Sequence, residues 1–257
     1  MVSLFADWAN IARRLRSAPA IALFLDFDGT LAALEARPEQ VSLQGSVRDA
    51  LAALARNQRA RVWIISGRRQ ADIRTRVGVP GIRYLGLHGW EGRAGGALYE
   101  DTERQLAAVL TCLDRRLKAI PGIWIEDKAY ALAIHYRAAE TNSVARAYAI
   151  LDDVIAPFVS RFRIQPGKSV WEILPTELED KGAAVRRELA SLASRALPIY
   201  VGDDEVDEPA FAALADGLTI RVGRDPETRA RYRLSGVAQV RTFLHRLKAE
   251  CRLSVHG

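Results

Sequence analysis

The chain has 257 residues, 49% of them hydrophobic and 26% charged, which is too apolar for a disordered tail and sufficient for one large core or two smaller ones. Its apolar runs, such as Ile21–Leu25 and Val62–Ile65, fall far short of the ~20 residues that a membrane-spanning helix needs, and no fixed-period repeat is present. The formal charge of +6 rests on 37 basic residues of which five are Lys, and the arginines are scattered rather than gathered into one aromatic-interleaved run, so nucleic acid is not an expected partner.

Asp7, Asn10 and Arg13 interrupt the N-terminal apolar residues, which argues against a secretory leader and leads us to expect a cytoplasmic protein. Cys112 and Cys251 have neither metal-ligand spacing nor a disulfide framework and read as reduced thiols.

Short Ile/Val-rich runs alternating with amphipathic stretches predict parallel strands joined by helices. In chain order these are a strand over 21–26, a helix over 46–56, a strand over 61–66, a helix over 70–77 and a strand over 84–87. After an interruption come a helix over 181–194, a strand over 199–201, a helix over 208–214, a strand over 218–222 and a helix over 236–249. The pattern predicts an α/β fold, a doubly wound parallel-sheet core. The interruption reads helix 102–119, strands 123–126 and 131–136, helix 143–155, strands 162–165 and 170–174. Its two adjacent strand pairs predict a smaller antiparallel α+β cap inserted in the core, with Gly92, Gly95 and Gly96 on one side and Pro175 on the other as linkers. The expected division is core 1–95, cap 96–174 and core 175–257.

The first strand runs into Asp26-Phe27-Asp28-Gly29-Thr30, which puts two carboxylates at i and i+2 on one face, at the end where α/β sheets open their crevice. One such acid can attack phosphorus while the other donates and later accepts a proton; holding an anionic phosphate beside them calls for magnesium. Gly29 permits a sharp turn, and the amides after it can face an anion. Another strand runs into Gly202-Asp203-Asp204-Glu205-Val206-Asp207-Glu208, acids that repel one another unless a cation is near. Ser66-Gly67-Arg68 ends a third strand before a helix, as an anion site or an ordinary cap, and Lys181 opens a further helix, a position where a lone Lys is usually solvated.

These four elements, in this order, resemble the haloacid-dehalogenase-like phosphatases. Together with His88-Gly89, Glu126-Asp127-Lys128, His135-Tyr136-Arg137, Pro166-Gly167-Lys168 and Glu172, they resemble the trehalose-6-phosphate phosphatase family over nearly the whole chain. The resemblance implies that Asp26 is a nucleophile forming an aspartyl-phosphate and Asp28 the general acid/base. It places Mg2+ on the carboxylates of Asp26 and Asp203 and the main-chain carbonyl of Asp28, with Asp204 and Asp207 behind them. Phosphate would be held by Ser66 and Lys181, beside Gly29, Thr30 and Gly67, and the sugar by Glu126, Lys128 and Glu172. His88, His135 and Arg137 are shared without an assigned role. Val206 stands where the family usually has Thr, and the segment Trp171–Pro175 lacks a basic residue often found before the Pro.

The implied activity is hydrolysis of trehalose 6-phosphate. Alternatives are a phosphatase of a mannosyl- or glucosyl-3-phosphoglycerate and a non-catalytic phosphosugar-binding protein. The expected partner is a small sugar phosphate, with no nucleic acid, no membrane and a monomer as the default. Apart from the core motifs, Glu126 and Lys128 would read as a surface ion pair and Glu172 as a solvated strand residue.

Overall fold

A computed structural model describes residues 1–35, 37–92, 100–193, 195–224 and 227–253. The chain forms two compact units, Met1–Arg93 with Asp180–Gly257, and Ala94–Glu179.

The first unit is built on a seven-stranded sheet whose strands are β1 (Val2–Ser3), β2 (Ile21–Leu25), β3 (Ala60–Ile65), β4 (Arg83–Leu85), β9 (Leu197–Gly202), β10 (Leu218–Val222) and β11 (Tyr232–Leu234). All neighbours pair in parallel, in the order β1-β11-β10-β9-β2-β3-β4. Every residue of β2 is buried because its side chains alternate between two cores. Leu23 and Leu25 point with Val62, Ile64, Ile199 and Val201 to one face, covered by α1 (Trp8–Ser17), α2 (Gly45–Ala55), α3 (Gln70–Val77) and α8 (Val237–Leu253). Ala22 and Phe24 point the other way with Trp63, Ile65 and Tyr200, against α6 (Lys181–Ala190) and α7 (Glu208–Ala213). Each fully buried Leu, Ile or Phe contributes roughly 1.5–3 kcal/mol, which is why continuous apolar runs rather than alternating ones mark these strands.

From β2 the chain winds to β3 and β4 on one side, and from β9 to β10 and β11 on the other. The switch point therefore lies between β2 and β9, where Leu25 pairs with Val201 and the crevice of an open sheet is expected.

The second unit comprises α4 (Glu100–Leu117), β5 (Trp124–Asp127), β6 (Leu132–His135), α5 (Thr141–Ile155), β7 (Phe162–Gly167) and β8 (Val170–Pro175). Its strands form an antiparallel sheet in the order β5-β6-β8-β7. Leu132, Ile134, Trp171 and Ile173 pack against Leu106, Val109 and Leu113 of α4 and Ala147 and Leu151 of α5, giving this unit its own core.

Several expectations need correction. The strand read as 84–87 ends at Leu85, because Leu87, His88 and Gly89 all take left-handed backbone (φ 47°, 61° and 118°) in a 3₁₀ turn. Pro175 is not a linker but the last residue of β8, opposite Phe162. The helix read to Ser194 ends at Ala190, and Ser194 lies outside the described residues, as do Gly95, Gly96 and the 95/96 boundary. The strands β1 and β11 and the helix α1 were not foreseen.

Candidate active site

Three adjacent parallel strands deliver the motif residues to one edge of the sheet: Asp26 follows β2, Ser66 follows β3 and Asp203 follows β9. The Asp26 amide donates to the Val201 carbonyl at 2.9 Å, extending the β2–β9 ladder by one residue. The chain then turns back on itself, with the Leu31 amide on the Phe27 carbonyl and Gly29 at φ +81°. A Cβ on Gly29 would collide with the Asp203 carboxylate, so this position needs Gly for its dihedral and for the close approach. Thr30, fully buried, donates its hydroxyl to Asp203 Oδ1 at 3.3 Å.

Lys181, the first residue of α6, is 1% exposed rather than solvated. Its Nζ donates to Asp26 Oδ1 at 2.6 Å and to Asp207 Oδ1 at 2.7 Å. Helix α6 is started by Asp180, whose side chain accepts from the Ala183 amide, and this cap fixes where Lys181 points. The buried carboxylates of Asp26, Asp203 and Asp207 each present an oxygen within 4.8 Å of the others. Burial pushes Asp26 well above the usual carboxylate range; Lys181 opposes this, and Asp207 and Asp203 add to it. Burial alone would lower the Lys181 ammonium, but Asp207 and Asp26 outweigh it and hold the ammonium well above its usual value.

The donor set suits a hard divalent cation. Three carboxylates around one ammonium leave two negative charges in excess, and the cluster's metal-facing atoms are oxygens, as magnesium prefers. Asp207, read from the sequence as lying behind the ligands, has both oxygens engaged: Oδ1 by Lys181 and the Tyr200 hydroxyl (2.8 Å), Oδ2 by the amides of Asp203 (2.8 Å) and Asp204 (2.9 Å). It therefore orders the loop that carries Asp203. Asp204 caps the 3₁₀ turn Glu205–Asp207.

Asp28 stands apart from the cluster, its carboxylate paired with Arg68. Ser66 is buried and accepts the Arg68 amide at 3.2 Å, with half-buried Gly67 between them. The reading of Ser66 as an ordinary cap of α3 is corrected by the structure. The N-cap of α3 is Arg69 rather than Ser66, and Glu91 Oε2 takes the Gln70 amide at 2.5 Å. Beside Ser66 lies the left-handed turn, the His88 amide donating to the Ser66 carbonyl at 2.9 Å.

In the second unit, Glu126, Ala133, Glu172 and Gln165 stand in one row across the four strands, on the face opposite the apolar core. Lys128 and Glu172 are not the surface residues that they would read as apart from the core motifs. Lys128, which follows β5, donates to Glu172 Oε1 at 2.5 Å, and both are buried. Glu126 meets His135 Nε2 at 2.9 Å, and His135 stacks on Trp124 with ring centroids 3.9 Å apart. Arg137 donates to the Lys168 carbonyl.

Besides His88, His135 and Arg137, the residues left without a role by sequence reasoning include Arg68, Asp72 and Tyr200, which the structure places at the site. Arg68 stood in the quoted Ser-Gly-Arg segment, whereas Asp72 and Tyr200 carried no signal beyond their elements.

Comparison with known proteins agrees with this architecture. The family model described as trehalose-phosphatase matches residues 24–236. The chain is 35% identical over 247 residues to the trehalose-phosphate phosphatase of Mycobacterium ulcerans, covering 90% of this chain and 62% of that protein, so it spans about three fifths of that relative's length. It is 30% identical to a probable trehalose-phosphate phosphatase D of Arabidopsis thaliana, covering 92% of this chain and 69% of the relative. Among solved structures, the C-terminal domain of trehalose-6-phosphate phosphatase from C. albicans superposes with a TM-score of 0.82 at 20% identity, over 94% of this chain and 96% of that one, a likeness of fold. From its motifs, its architecture and the match over most of its length, the chain belongs to the trehalose-phosphatase family.

Proposed function

We propose that the chain is a Mg2+-dependent phosphatase that hydrolyses trehalose 6-phosphate to trehalose and phosphate through an aspartyl-phosphate on Asp26. The observation that carries this reading is the buried group of Asp26, Asp203 and Asp207 around Lys181 at the switch point of the sheet. An isolated set of three buried carboxylates with one ammonium has no structural advantage over apolar packing, since desolvation of each charge is costly. It is understandable as a place where phosphate and a divalent cation meet.

Magnesium would be held by the carboxylates of Asp26 and Asp203 and the main-chain carbonyl of Asp28. When bound, it supplies positive charge that offsets the repulsion between the phosphate and the attacking carboxylate. Lys181, with Ser66, Gly67, Gly29 and Thr30, orients the phosphoryl oxygens. An Asp26 oxygen bonds to phosphorus as the bond from phosphorus to the sugar oxygen breaks, and that oxygen takes a proton from the Asp28 carboxyl. A water molecule then attacks phosphorus, gives its proton to Asp28, and releases phosphate as Asp26 recovers its oxygen. Glu126, Lys128 and Glu172 take the sugar hydroxyls, whose burial requires polar partners; the names of the relatives support trehalose as that sugar.

The test is phosphate release from a panel including trehalose 6-phosphate, glucose 6-phosphate and glucosyl-3-phosphoglycerate, with Mg2+ and with EDTA. Trehalose 6-phosphate should be turned over fastest and EDTA should abolish turnover. Preference for the phosphoglycerate would reassign the sugar, and no release from any member would overturn the reading.

A further inference from the structure

Asp28 is held by an unusually complete support. Arg68 Nε donates to Oδ2 and Nη2 to Oδ1, each at 2.7 Å, a planar fork that uses both carboxylate oxygens. The remaining nitrogen of the guanidinium, Nη1, donates to Asp72 Oδ2 at 2.9 Å. Asp72 takes Arg76 Nε at 2.8 and 2.9 Å, and Arg76 Nη1 donates to the main-chain carbonyls of Val41 (2.7 Å) and Glu39 (3.1 Å). Arg68, Asp72 and Arg76 are spaced by four residues, so they line one side of α3 and its N-terminal approach. The Arg68 guanidinium also lies 5.7 Å from the ring centroid of buried Phe27, which flanks Asp28 in sequence.

We infer that Arg68 is the positioning residue of Asp28, tethering it to α3 so that one oxygen reaches the reacting phosphoryl group while the other stays bound. This rests on the phosphatase reading above. A fork with two equivalent bonds can open one and retain the other, which fixes the arc through which the carboxyl moves. A carboxyl without that tether samples its rotamers freely, and misplacement by about 1 Å is enough to cost ~10²-fold in rate. Proton delivery matters most when the leaving oxygen is a poor leaving group. A sugar alkoxide must be protonated as it departs, whereas nitrophenolate leaves without help.

The experiment is rapid-quench measurement of phosphoenzyme formation, in Mg2+, from trehalose 6-phosphate and from 4-nitrophenyl phosphate, in wild type, Arg68→Ala, Arg68→Lys and Asp72→Ala. In Arg68→Ala the loss on trehalose 6-phosphate should exceed the loss on 4-nitrophenyl phosphate by about tenfold or more. Arg68→Lys, which keeps a donor but no fork, should recover part of that difference, and Asp72→Ala should show the same selectivity more weakly. Equal losses on both substrates, or none, would overturn the inference, as would a preferential loss on the nitrophenyl ester. Should Arg68→Ala fail to fold by circular dichroism, the same ratio is read from the other two variants. A wild type that forms no phosphoenzyme from either substrate overturns the function proposed above; an active wild type with an unaltered ratio in the variants overturns only the role of Arg68.

Discussion

Lys181 Nζ lies 2.7 Å from Asp207 Oδ1, an oxygen that also accepts the Tyr200 hydroxyl, so the ammonium is fixed from behind while it reaches Asp26 in front. Lys181→Met should remove the only cation in contact with both acids in the structure described and leave them facing each other in a buried setting. In EDTA, urea unfolding should report a loss of about 3–5 kcal/mol. Part of the loss should return on adding Mg2+, because a ligand bound only by the folded form stabilises it. Phosphate release should stay lost throughout.

Gly29→Ala tests the close approach between the first turn and Asp203. The added methyl would displace the Asp203 carboxylate and strain a backbone at φ +81°. Stability should fall by ~1–3 kcal/mol and, more tellingly, Mg2+ affinity measured by calorimetry should drop by at least about tenfold. Unchanged affinity would place the cation away from Asp203.

The Lys128–Glu172 pair separates stability from specificity. Lys128→Met should destabilise, because it removes the ammonium 2.5 Å from a buried carboxylate. Lys128→Met with Glu172→Leu should restore the melting temperature to near that of wild type, since apolar replacement of a buried ion pair is often neutral. kcat/KM for trehalose 6-phosphate should nevertheless remain down by roughly 10²-fold in the double variant. Recovery of activity along with stability would make the pair a structural one.

Acid sensitivity should have a component at Asp72. Burial alone would raise its carboxyl, but hydrogen bonds from Arg76 and Arg68 outweigh burial and hold it below the usual range. A carboxylate lowered in the folded state contributes stability that is complete above its unfolded value of about 3.9 and is lost as pH falls through the folded one. Asp72→Asn should therefore lower the unfolding free energy from urea titration at pH 6, by at most about 1 kcal/mol because the side chain is 37% exposed, and the gap should close as pH falls below about 4.

Thiol labelling should distinguish the two cysteines. Burial pushes the Cys251 thiol up to about 11, and the residue sits in the apolar core against α8's neighbours. At pH 8 one equivalent of a thiol reagent should react with the folded protein, at half-buried Cys112, and two after unfolding.

What the sequence made legible was whatever is local along the chain. The run Ile21–Leu25 into Asp26 and Asp28, and the run into Gly202 and Asp203, each announce a strand and its acids, because strand burial and strand-end chemistry are written in adjacent residues. The order of elements in the second unit was legible for the same reason. Strands β1 and β11 are two and three residues long, too short for a period to register, although Trp8, Ile11 and Leu15 carried a helical one for α1. Partnerships across the sheet were not legible. Lys128 has Glu126 two residues away, yet it pairs with Glu172 because β6 intervenes and brings β8 alongside. The fork of Arg68 on Asp28 joins two loops forty residues apart in the chain, and nothing in either loop names the other.

The central pairing of β2 with β9 also orders events at the ribosome. Ile21 pairs with Leu197, so at ~5–20 residues per second the strand bearing Asp26 waits roughly 10–35 s after its synthesis for its neighbour. During that interval residues 94–179 emerge, whose antiparallel neighbours are close in sequence and whose core is their own. Until Asp203 and Asp207 follow, β2 has β3 for one neighbour, but its other edge stays open, a template for unwanted association. Chains terminated before Asp203 therefore lack the acid cluster, and the reactive residues can meet only once synthesis has passed Asp207.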